Sequence, residues 1–63
     1  MYAWRYLDGS GNELGTSEGF AAKEEAEAWM GEDWSELRDR GVEAVELIDQ
    51  ERGERLYRMA LSE

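Results

Sequence analysis

Oxygen-bearing side chains are the only groups here numerous enough, and spaced closely enough, to do chemistry. In LDGSGNEL, residues 7–14, Asp8, Ser10 and Asn12 alternate with small residues, as oxygen ligands alternate in a calcium loop. A loop of that kind starting at Asp8 requires glycine at its sixth position and a bidentate glutamate at its twelfth. Glu13 and Gly19 stand there instead. The same letters suit a tight connection between strands. Asp8 and Asn12 would then bond to local backbone, with Gly9 and Gly11 taking the difficult dihedrals. A turn is therefore expected and a metal is not. GSG also fails as a phosphate loop, because a strand rather than a helix N-terminus is expected after it.

KEEAEAWMGEDWSE, residues 23–36, carries six carboxylates. Such an array could imitate the phosphates of a nucleic acid. It also describes an ordinary solvated helix face. Paired carboxylates can act as general acid and base or bind Mg²⁺, yet nothing selects one pair from the 16 Asp and Glu residues. There is no histidine and no cysteine, which removes the commonest proton shuttle, the thiolate nucleophile and the usual zinc ligands. A non-enzymatic chain without cofactor or metal is expected. Its net charge of −9 repels phosphate backbones and anionic headgroups, so neither nucleic acid nor membrane is an expected partner. The polar opening MYAWRYLDG sets the expectation of no secretory leader, and no apolar run approaches the roughly 20 residues that cross a bilayer. The expected location is the cytoplasm.

Sixty-three residues imply one domain, spanning 1–63, near the lower limit for folding without staples. Three Trp, three Tyr and one Phe supply area for a small core. YAWRYL, residues 2–7, alternates, so Tyr2, Trp4 and Tyr6 share one face of a strand while Ala3, Arg5 and Leu7 share the other. After the DGSGN turn, a second strand places Leu14 and Thr16 opposite the aromatic set, completing a hairpin. Residues 21–40 change period: Ala22, Ala26, Trp29, Met30, Trp34 and Leu37 fall within an arc of roughly 140°. Gly31 falls opposite that stripe. One helix is favoured over a break at Gly31 with Asp33 as a new N-cap, and Gly41 is suited to terminate it. VEAVELID (42–49) and RLYRMAL (55–61) form a second hairpin around QERGE. There Val45, Leu47, Tyr57, Met59 and Leu61 share a buried face, and Glu46 and Arg58 lie beyond it near Arg5.

The expected fold is α+β: ββαββ, a four-stranded antiparallel sheet with one helix on one face. The other face then presents Ala3, Arg5, Leu7, Glu46, Ile48, Leu56, Arg58 and Ala60, a mixture of apolar and cationic groups. Trp34, at the edge of the helix stripe, is the best single anchor for a contact. The candidate partner contacts are Arg5, Leu7, Trp34, Ile48, Leu56 and Arg58.

GNELGTSEGFAAKEEAEAW, residues 11–29, resembles a pattern in small bacterial YegP-like domains, matched here by Ser17, Glu18, Gly19, Phe20, Lys23 and Ala26. The resemblance implies a strand-to-helix corner with Phe20 tucked under the helix, and no catalytic residue. As a whole, with arginine far outnumbering lysine, the chain resembles short proteins of high-GC actinobacteria. The function expected is a protein-interaction or homodimerisation module, with an acidic nucleic-acid-mimicking inhibitor as the alternative.

Overall fold

The computed structural model of the protein describes residues 1–61. Its elements are β1 (Tyr2–Leu7), β2 (Glu13–Thr16), α1 (Lys23–Asp39), β3 (Ala44–Asp49) and β4 (Glu54–Ala60). They form the expected α+β fold, one antiparallel sheet in the order β2-β1-β3-β4. Because β2 and β3 both run antiparallel to β1, they are parallel to each other. Helix α1 is thus the crossover of a split β-α-β unit.

Alternation in the central strands follows the sequence. Trp4 pairs with Leu47 and Tyr6 with Val45 on the helix side, while Arg5 pairs with Glu46 on the far side. On β4, Leu47 lies opposite Tyr57, Val45 opposite Met59 and Glu46 opposite Arg58. The core joins Trp4, Phe20, Ala26, Met30, Leu37, Val42, Val45, Leu47 and Leu61. Trp4 is wholly buried, and its indole Nε1–H donates to the Ala26 carbonyl at 2.9 Å, which ties strand to helix. No buried side-chain nitrogen or oxygen among the described residues lacks a partner.

The LDGSGNEL segment is the hairpin tip. One oxygen of Asp8, Oδ1, accepts the N–H groups of Ser10 and Asn12, both at 2.9 Å. The Gly11 N–H reaches the Asp8 carbonyl at 3.0 Å, with Gly11 at φ 86°. Those loop N–H groups, that of Asn12 foremost, hold the Asp8 carboxyl below its ordinary range. The second strand departs from the expected register. Tyr6 faces Gly15, Thr16 faces Arg5, and a bulge leaves Leu14 unpaired and exposed. A four-residue strand with one large apolar residue has too little buried surface to hold Leu14 inward. Beyond Thr16 the ladder becomes irregular: the Ser17 hydroxyl accepts the Trp4 N–H at 2.8 Å, and Phe20 exchanges two backbone bonds with Tyr2. Phe20 is buried at this corner and packs on Trp29, ring centroids 5.5 Å apart.

Helix α1 runs unbroken through Gly31. No side chain caps its N-terminus, where Ala22 is extended, but Glu24 and Glu25 occupy the first turn and complement the dipole. At the other end the Val42 N–H bonds the Leu37 carbonyl at 3.0 Å and the Gly41 N–H bonds that of Arg38 at 3.1 Å. With Gly41 at φ 98°, this is a complete Schellman closure, sealed by contact between buried Leu37 and Val42. A Cβ at Gly31 would meet nothing within 4 Å, so Gly31→Ala is expected to stabilise the fold by about 1 kcal/mol through helix propensity. Urea denaturation followed by circular dichroism measures it, and a lowered midpoint would contradict the open surroundings of that position.

Candidate functional site

A helix is about 10 Å across and adjacent strands lie about 4.8 Å apart, so one helix covers roughly two strands of a four-stranded sheet. Here α1 packs on β1. On the β2 side, where Gly15 has no side chain and Phe20 packs on Trp29, the opening is a smaller, polar groove of about 210 Å³ lined by Tyr6, Trp29, Asp33, Glu36, Leu37 and Arg40. On the β4 side no bulky residue closes it. Met59, expected in the core, is 39% exposed, since its edge strand lies beyond the reach of the helix.

The result is a cleft of about 490 Å³ between α1 and β4. Trp4, Met30 and Leu61, all buried, form its floor. Trp34, 41% exposed, and Gly31 form the helix lip, and Met59 the strand lip. Gly31 therefore borders the cleft, on the flank of the apolar stripe rather than opposite it. Polar atoms enter mainly at one end, where the Tyr57 hydroxyl donates to Glu27 Oε2 at 2.7 Å. The Lys23 ammonium lies 5.5 Å from the centre of the Tyr57 ring, within cation–π range. The ring itself stands edge-on to Trp4, with centroids 5.9 Å apart. Burial foremost, then the bond to and charge of Glu27, push the Tyr57 phenol up to about 12, so it remains a donor across the neutral range.

The six residues singled out as contacts do not form one surface. Trp34 lines the cleft, whereas Arg5, Leu7, Ile48 and Arg58 belong to the opposite sheet face. Leu7 is only 5% exposed and offers a partner nothing, and Ala3 and Ala44 on the same face are buried too. Leu56 is the unpaired residue of a bulge, because Ile48 pairs with Arg55 where unbroken alternation would place Leu56. That bulge brings a further charge to the face: Glu46 receives Arg55 Nη1 at 2.8 Å and Arg5 Nη1 at 3.3 Å. Arg58, its cross-strand neighbour, makes no ion pair among the described residues. The sheet face is thus a charge-paired surface and the apolar opening lies on the helix side.

Among the described residues no three carboxylates gather as metal ligands, and no helix is long and apolar enough to cross a membrane. The cleft offers one carboxylate and one phenol against apolar walls, an arrangement suited to binding. No family model matches the chain, and no curated protein or solved structure is significantly similar to it.

Proposed function

We propose that the chain is a non-catalytic cytoplasmic interaction module that receives a protein partner in the α1–β4 cleft. The observation that carries this reading is the pair Trp34 and Met59, standing exposed on either lip above a floor of core residues. A large ring left in water gives up burial energy on the order of 1 kcal/mol or more, and tryptophan in an apolar pocket is the residue type most often dominant in contacts. The absence of histidine and cysteine supports the non-catalytic part. Acid mimicry of nucleic acid is the second reading, supported by the exposed helix carboxylates Glu24, Glu25, Glu32 and Asp39.

Comparative capture from the native host separates these readings. Wild type, the Trp34→Ala/Met59→Ala double variant, Arg58→Glu and Glu24→Lys/Glu25→Lys serve as baits, with quantitative mass spectrometry. The expected result is a protein held by wild type and Arg58→Glu and lost from the cleft variant. Identical protein sets from wild type and the cleft variant would overturn the cleft reading. Selective loss of a nucleic-acid-binding protein from the lysine variant would favour mimicry.

A further inference from the structure

The chemistry around the cleft narrows what can occupy it, provided that the interaction-module reading holds. An incoming group meets apolar surface along the cleft and a carboxylate at one end. Glu27 Oε2 takes the Tyr57 hydroxyl, while Oε1 has no hydrogen bond among the described residues. The chain's own Lys23 ammonium takes the Tyr57 ring beside it and makes no ion pair with Glu27 among the described residues, so the Glu27 carboxylate is the group left to attract a partner's cation. Bare backbone at Gly31, with open space where a Cβ would stand, lets a partner approach the helix closely. The outward helix face beyond it is acidic, and the whole chain carries −9. That field steers basic partners inward and repels a second copy. Edge pairing between copies is opposed as well. Strand β4 carries the bulge at Leu56 and the arginines 55 and 58, features that disfavour strand addition.

We propose that the α1–β4 cleft binds the apolar face of a basic amphipathic partner segment, seating an aliphatic or aromatic side chain between Trp34 and Met59 and a lysine or arginine at Glu27. Such a ligand combines the two contacts the cleft provides, and purely apolar or acidic segments combine only one or neither. Recognition runs through side chains, in the helix-in-groove manner.

Three short synthetic helical or soluble peptides test it: one of leucine and lysine, one of leucine and glutamate, and one of serine and lysine. Binding is read from the methyl resonance of Met59 and from tryptophan fluorescence. The leucine–lysine peptide is expected to shift Met59 and to bind at least about tenfold tighter than either other peptide. Trp34→Ala weakens it about tenfold and Glu27→Gln about threefold. Both variants alter exposed side chains, and circular dichroism confirms their folding. Equal binding of the serine–lysine peptide, equal binding of the leucine–glutamate peptide, or indifference to Trp34→Ala would each overturn the proposal. If no peptide moves Met59 while sedimentation detects a dimer that Trp34→Ala dissolves, the basic-partner proposal fails and the interaction-module reading stands. Strict monomers, silent peptides and identical capture by the cleft variant would remove both.

Discussion

Trp4→Ala is expected to remove about 3–5 kcal/mol, a third or more of the fold's stability. A 63-residue domain has a stability of about 3–9 kcal/mol at typical values per residue, and truncating a buried tryptophan costs about 3–5 kcal/mol. Trp4 sits at the upper end of that range for structural reasons. It is wholly enclosed, it touches the edge-on Tyr57 ring, it floors the cleft, and its indole holds the Ala26 carbonyl of α1. The cavity left behind would open directly into the α1–β4 cleft, so helix and β4 would lose their common support. Trp4→Phe separates the two contributions. It retains most of the apolar volume and removes the hydrogen bond, at an expected cost of about 1–2 kcal/mol, which leaves a cooperative transition at lower urea. Far-ultraviolet circular dichroism across a urea series measures both. A Trp4→Ala protein with a midpoint close to wild type would show that the core does not depend on this side chain.

What could be read in advance follows from how much buried surface each segment commands. YAWRYL places three aromatic residues at period two, so a slip of one residue would expose all of them, and the two faces of β1 fall as the alternation reads, Trp4 against Leu47 and Arg5 against Glu46. Leu37, Gly41 and Val42 mark the end of the helix unambiguously, because closure needs a positive φ and two apolar flanks, and all three are present. Segments with less to bury were less legible. In ELGT the single leucine suggested an inward face, while the bulge turned Gly15 toward Tyr6. In ERLYRMA nothing marks Leu56 as the extra residue, since no glycine or change of composition accompanies it. The bulge brings Arg55 to Glu46 and leaves Arg58 beside it, an exchange between two identical residue types that pattern alone does not resolve.

The cleft was not read in the sequence, where the open surface was expected on the far sheet face and Trp34 stood only as an edge contact residue. One helix against four strands must also leave a strip open on its own side. The larger, apolar opening lies beside β4, while the β2 side, where Phe20 packs on Trp29, keeps only a smaller polar groove. That choice is made by packing between distant segments. The same logic explains why the far face of the sheet is not the apolar surface that its letters suggested. Ala3, Leu7 and Ala44 are buried, and Arg5, Glu13, Glu46 and Arg55 lie joined in ion pairs on that side.

Glu46→Ala is expected to destabilise the fold by about 2 kcal/mol and to flatten its acid sensitivity. The carboxylate is only 7% exposed, yet no second layer of structure lies over it. Its cover is the arginine side chains, about half exposed themselves. The value therefore lies between that of a surface pair, at most about 1 kcal/mol, and that of a deeply buried pair, about 3–5 kcal/mol when broken. The Arg55 hydrogen bond foremost, with the charges of Arg55, Arg5 and Arg58 behind it, holds the Glu46 carboxyl below its ordinary value of 4.5, and burial opposes this only in part. Folding therefore binds fewer protons at this site than the unfolded chain does. Its stabilisation is fully present above the unfolded pKa and is lost as pH falls through the lower folded value. Wild type should lose stability from about pH 4.5 downward. Glu46→Gln, which keeps the shape and removes the titration, should start lower at pH 7 and decline less steeply over the same window. Arg55→Met should reproduce most of the change, because it removes the 2.8 Å charged hydrogen bond to Glu46, while Arg58→Met should reproduce little. Urea midpoints at pH 7, 5, 4 and 3 for these variants measure the slopes. Parallel slopes for wild type and Glu46→Gln would remove Glu46 as the source of acid sensitivity.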